Sequence, residues 1–106
     1  MPLLARKLAN QVKRIDPELV PVNLRNIVVN GVKRGCSGFF TNPATGRFVY
    51  VNTEQPWCME KGACMLRFAK DEKDFCGERN EWTDVDHIAA MVAKRLNEAR
   101  SERSAA

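Results

Sequence analysis

The sequence is short of nearly everything that marks an enzyme or a membrane protein on inspection. It has one histidine, His87, so the side chain whose ordinary pKa lies near neutrality occurs a single time. It has no Gly-x-x-x-x-Gly-Lys-Ser/Thr loop and no Gly-x-Gly-x-x-Gly turn, which excludes the usual cradles for ATP and dinucleotides. No run approaches the roughly 18 uninterrupted apolar residues of a membrane span. The first residues, Met1-Pro2-Leu3-Leu4-Ala5-Arg6-Lys7, meet charge before a signal-peptide apolar region develops. These absences lead us to expect a soluble, cytoplasmic chain with no membrane partner.

Paired metal ligands are also missing. Cys36, Cys58, Cys64 and Cys76 lack Cys-x-x-Cys knuckles, and His87 has no second histidine at i+4, so no zinc or other metal site is expected. Reduced cysteines serving as small core hydrophobes fit better. Cys58 and Cys64 would close a small loop only in an oxidising compartment. A Cys76–His87 dyad has no nucleophile motif around it. Asp71 and Asp74 are interrupted by Lys70 and Lys73 and lack calcium-loop spacing, so they read as a solvated turn. The expectation is a protein that is not an enzyme and needs no cofactor.

What is present is a chain of 106 residues, 44% apolar and 28% charged, enough for one domain spanning 1–106. Its net charge of +4 is uneven: residues 1–34 hold seven basic and two acidic side chains, whereas the rest is nearly balanced. A small basic excess points only weakly to anionic partners.

Residues 1–15 read as an amphipathic helix, with Leu4, Leu8, Val12 and Ile15 on one side and Arg6, Lys7, Lys13 and Arg14 opposite. Asp16-Pro17 ends it, and Pro21 continues an extended connection. Residues 24–82 form a β-rich part. Asn30-Gly31 signals a tight turn between Asn26–Val29 and Val32–Arg34. The clearest hairpin joins Gly38–Thr41 to Arg47–Thr53 through Asn42-Pro43-Ala44-Thr45-Gly46. On its second arm Phe48, Tyr50 and Asn52 oppose Val49, Val51 and Thr53, so both faces of that strand are expected to be covered, one of them by the fold or by a second protomer. Ala63–Ala69 is a strand or a short helix, since periodicity fits either.

Residues 83–100 read as a second helix, opened by Thr83-x-x-Asp86, with a core stripe of Val85, Ile88, Ala89, Val92, Leu96 and Ala99. Residues 101–106 are expected to fray. The class is therefore α+β: a small antiparallel sheet flanked by an N-terminal and a C-terminal amphipathic helix.

The stretch Lys70–Trp82 is the leading site candidate, because it mixes charges of both signs with Gly77 and two aromatics where helical and strand patterns fail. The side chains on offer suit a phosphate-bearing ligand. Arg25, Arg34, Arg79, Arg95 and Arg100 supply bidentate donors, Phe75, Trp82 and Trp57 supply stacking surfaces, and Asn80 suits a base edge or ribose hydroxyl.

Lys33-Arg34-Gly35-Cys36-Ser37-Gly38-Phe39, Thr41-Asn42-Pro43-Ala44-Thr45-Gly46, Val49-Tyr50-Val51-Asn52-Thr53-Glu54 and Arg67-Phe68-Ala69-Lys70-Asp71-Glu72-Lys73-Asp74-Phe75 resemble the Thoeris anti-defence sponges, small phage proteins that sequester cyclic ADP-ribose signals. The likeness spans residues 24–100. It implies a non-enzymatic, homo-oligomeric α/β protein that encloses an intact signalling nucleotide in the host cell, so that the host effector stays inactive. Residue by residue, it implies an arginine near the start of the sheet, Arg25 or Arg34, an aromatic-to-asparagine pair, Phe75 and Asn80, and a C-terminal helical arginine, Arg95 or Arg100.

Two other readings remain open at this point. A small DNA- or RNA-binding regulator would lay the first helix and Lys33-Arg34 along phosphates. A protein-blocking module would use an exposed sheet edge or aromatic loop.

Overall fold

Alternation, turn chemistry and one basic amphipathic stripe divide the chain into two helices and five strands among the described residues. The computed structural model describes residues 2–54, 64–74 and 77–105, with side chains of the last helix through residue 98. The elements are α1 (Ala5–Ile15), β1 (Val20–Val29), β2 (Val32–Asn42), β3 (Arg47–Asn52), β4 (Cys64–Ala69), β5 (Glu81–Thr83) and α2 (Ile88–Ala105). The strands form one antiparallel sheet in the order β1-β2-β3-β4-β5, each paired with its sequence neighbour. The architecture is α+β, and among the described residues no helix is long and apolar enough to cross a membrane.

Local chemistry sets the turns. Asn30 and Gly31, with φ of 51° and 78°, make the left-handed pair that a two-residue hairpin between Val29 and Val32 requires. In the next hairpin the Asn42 carbonyl accepts from the N–H groups of Thr45 and Gly46, and its side-chain oxygen accepts from Ala44 N–H. Residues 64–69, ambiguous by periodicity, are a strand. β1 begins at Val20 rather than Leu24 and contains Pro21, which is tolerated because β1 is an edge strand.

Helix ends depart from the sequence expectation in instructive ways. The first backbone N–H of α1 is satisfied by Asn26 Oδ1 at 2.8 Å, so β1 caps the helix in place of a local side chain. Ile15, expected on the apolar side of α1, is instead 51% exposed. α2 starts at Ile88, with Thr83 in β5. Asp84 accepts the turn's N–H groups through its carbonyl and from Asp86 N–H through its carboxylate, so the Thr83–Asp86 box does not form. The backbone of α2 continues to Ala105, where no glycine or proline interrupts it.

Both helices lie on one face of the sheet. Leu8 and Val12 from α1 and Ile88, Val92 and Leu96 from α2 pack on Cys36, Phe40, Val49, Val51, Cys64 and Leu66. Thr53 ties this layer to the chain start: its hydroxyl donates to the Leu3 carbonyl at 2.9 Å and accepts from Cys36 N–H at 2.9 Å. The opposite face carries no helix among the described residues, yet it has its own cluster of Phe39, Tyr50 and Met65, with Val22, Phe48, Ala69 and Trp82 packed against it. The double-faced β3 expected from the sequence is therefore real.

Candidate binding cleft on the helix-free sheet face

Register places the side chains of this face in transverse rows. Val22, Phe39, Tyr50 and Arg67 form one, and Arg25, Ser37, Asn52, Met65 and Trp82 form the next. Phe39 and Tyr50 meet edge to face, with centroids 5.3 Å apart and planes at 62°, a favoured arrangement for aromatic quadrupoles. The Arg67 guanidinium lies 4.5 Å from the Tyr50 ring centroid and donates through Nη1 to Asn80 Oδ1 at 3.1 Å.

Phe39 is only 1% exposed and Tyr50 8%, although no helix covers them. Both residues contribute to the lining of a cleft of about 360 Å³, to which Glu72 and Lys73 also contribute. The segment after β4 therefore crosses the face. Its charges organise it locally: Asp74 accepts from Lys70 N–H at 2.9 Å, and Asp71 from Lys73 N–H at 2.8 Å. Asp71 and Asp74 thus act as acceptors within a turn, and no group of three or more metal-ligating side chains occurs among the described residues.

Asn23, Arg25, Ser37 and Gly38 complete the cleft. Asn23 has a φ of 52°, and the β1–β2 register shifts between Val22 and Arg25, which bends β1 against Gly38. A Cβ at residue 38 would lie 2.5 Å from Leu24 Cα and from the Asn23 carbonyl oxygen, so glycine permits this close approach.

The sequence-predicted residues divide into groups. Arg25 lines the cleft, and Asn80 joins the same face through Arg67. Arg79 is exposed beside Asn80. Arg34 lies on β2 near the Asn30-Gly31 turn, 3.5 Å from Glu54. Arg95 belongs to the helix-bearing side, where Nε donates to Glu81 Oε2 at 2.7 Å and Nη1 to Glu98 Oε2 at 2.8 Å; these partners, Glu81 foremost, hold its guanidinium further toward the charged form. Phe75, Trp57, Cys58 and Cys76 lie outside the described residues, as does the side chain of Arg100. Trp82 packs against the aromatic cluster.

Phe39, Tyr50, Arg67 and Ser37 are not among the sequence candidates, whereas Lys73 belongs to the candidate stretch Lys70–Trp82. The signal that points to Tyr50 is the apolar alternation on both faces of β3, and cross-strand pairing then brings Phe39 and Arg67 beside it. The remaining nucleophile candidates stand apart from the cleft. Cys36 and Cys64 are free and buried, and burial pushes both thiols up, Cys64 to about 12. His87 sits at the start of α2, its Nδ1 2.6 Å from Asp84 Oδ1.

No protein-family model matches the chain, and neither a curated protein nor a solved structure does.

Proposed function

We propose that the protein is a non-enzymatic binding protein that captures a nucleotide-derived signal of the cyclic ADP-ribose type in the helix-free cleft, suppressing an anti-phage defence in the host cell. The observation that carries this reading is the placement of Arg25 and Lys73 around a Phe39–Tyr50 floor in a cleft of about 360 Å³. That volume lies within the range of roughly 300–1,000 Å³ usual for small-molecule sites. Arg25 and Lys73 would neutralise a pyrophosphate, the ring pair would back the base, and Ser37 would meet a ribose hydroxyl. Asn80, oriented by Arg67, and Phe75 would extend the contact, and a second protomer would close the open side. Capture requires slow release and no general base.

Calorimetric titration with cyclic ADP-ribose isomers tests this reading. Arg25→Ala and Lys73→Ala are each expected to weaken binding at least tenfold, about 1.4 kcal/mol. Phe75→Ala and Asn80→Ala should each do the same. A folded protein that binds none of these isomers, or variants that bind like the parent, would remove the reading.

A specific observation favours nucleic acid as the second reading. Arg6, Lys7, Lys13 and Arg14 are all exposed on α1, and no ion pair engages them among the described residues. Salt separates the two. Phosphate-backbone binding should weaken steeply with ionic strength, with a slope reduced in Lys13→Gln and Arg14→Gln, whereas the enclosed ligand should depend weakly on salt.

A further inference from the structure

A second cleft, of about 400 Å³, opens at the end of the sheet beside β3 and β4, with Arg47, Phe68, Lys70, Asp74, Gly77 and Glu78 on its walls. Among the described residues it shares no lining residue with the first. Arg47 and Phe68 alternate in phase with Val49 and Leu66, so they belong to the helix-bearing face, beyond the layer that the helices cover.

One wall depends on a glycine. A Cβ at residue 77 would fall 2.1 Å from the Phe68 carbonyl oxygen, and Glu78 N–H donates to that same oxygen at 3.1 Å. The returning chain therefore lies directly on the end of β4 and fixes the position of Glu78.

Arg47 dominates the interior. Its guanidinium carbon lies 4.9 Å from the Phe68 ring centroid, so the ring engages the guanidinium by its face and leaves the in-plane N–H groups to other partners. Arg47 Nε is buried with no hydrogen-bond partner, and no ion pair engages Arg47 among the described residues. Asn42, its cross-strand partner, is fully buried and has an unpartnered Nδ2. Lys70, just past the end of β4, lines the same cleft. Arg47 and Asn42 thus each bury a donor of a kind that proteins rarely leave unsatisfied.

We infer that this cleft binds a small phosphorylated polyol, with the phosphoryl oxygens on Arg47 and Lys70 and a hydroxyl on the Glu78 carboxylate. The guanidinium supplies in-plane donors suited to a tetrahedral oxyanion. The Glu78 and Asp74 carboxylates on the walls disfavour a ligand that is anionic throughout, and Glu78 accepts from hydroxyl groups. The site stands independently of the nucleotide cleft.

The test uses ribose 5-phosphate, inorganic phosphate and ribose as probes, titrated into the full chain by calorimetry and followed by phosphorus NMR. Ribose 5-phosphate should bind more tightly than either fragment. Arg47→Gln should weaken it at least tenfold. Lys70→Gln and Glu78→Gln alter exposed side chains and keep the test open should Arg47→Gln misfold. Lys70→Gln should weaken both phosphate-bearing probes, and Glu78→Gln only ribose 5-phosphate. The inference is overturned if the parent protein binds no ribose 5-phosphate, if Lys70→Gln and Glu78→Gln bind like the parent, or if phosphate alone matches ribose 5-phosphate throughout.

Discussion

Cys36 and Cys64 lie beneath the helices, where each thiol packs as a small hydrophobe. Burial raises Cys36 against the opposing hydrogen bond from Thr53; it raises Cys64 to about 12, with smaller contributions from the charge of Asp84 and from Cys36. In the unfolded chain a thiol ionises near pH 8.5. The folded pKa values are the higher ones, so this contribution to stability is full below about pH 8.5 and is lost as pH rises through the folded values. The urea midpoint should fall with alkalinity above that point, and Cys64→Ala should flatten the fall. Thiol labelling with peptide mapping should find Cys36 and Cys64 unreactive until the chain unfolds. Labelling of either in the native protein at a rate matching the unfolded chain would contradict their placement.

At the other end of the pH scale, the Asp84 carboxyl is held below the usual carboxylate range, chiefly by its hydrogen bond to His87. A depressed folded pKa supports the fold above the unfolded value near 3.9 and loses that support as pH falls through the folded one. His87→Ala should return the Asp84 carboxyl toward its ordinary value in an NMR titration.

Among the elements, Gly38 and Gly31 show how two glycines differ in burden. A Cβ at Gly31 meets nothing within 4 Å, so Gly31→Ala carries only the strain of a φ of +78° and should cost about 1 kcal/mol. At Gly38 a Cβ would strike the β1 backbone at 2.5 Å, so Gly38→Ala should cost on the order of 2 kcal/mol or more, read from urea midpoints. It should also disturb the cleft wall. Arg95→Ala should cost about 1–3 kcal/mol, because it removes the link between α2 and β5 and leaves half-buried Glu81 without that partner.

The elements legible in the sequence are those whose signal is local. The stripe of α1, the Asn30-Gly31 turn and the hairpin around Pro43 each follow from fewer than about 20 residues of pattern. β5 has three residues, too few to display a period, and the start of β1 was obscured by Pro21. The cap of α1 comes from Asn26, on another element. The cleft was harder still. Its walls come from Asn23–Arg25, Ser37–Phe39, Tyr50 and Glu72–Lys73, and only the sheet register brings them together. Arg25 was legible by residue type and Tyr50 by alternation, but neither indicated the other.

For the whole molecule, the division of labour between the sheet faces is the central feature. One face receives both helices and forms the main core, while the other keeps an aromatic cluster under a charged crossing segment. That same segment supplies Glu72 and Lys73 to one cleft and Lys70 and Asp74 to another. The basic face of α1 lies on a different surface element, so salt-dependent binding there and enclosed binding in the cleft are separable by mutation.

The most direct test of the account is recovery of ligand from the purified native protein. Protein of known oligomeric mass is incubated with cyclic ADP-ribose, washed free of unbound ligand, heated to unfold it and analysed by mass spectrometry. The account predicts chemically unchanged ligand at a fixed ratio per protomer, reduced at least tenfold in Arg25→Ala at limiting ligand. Absence of captured ligand from a folded sample, or recovery of a hydrolysed product, would contradict it.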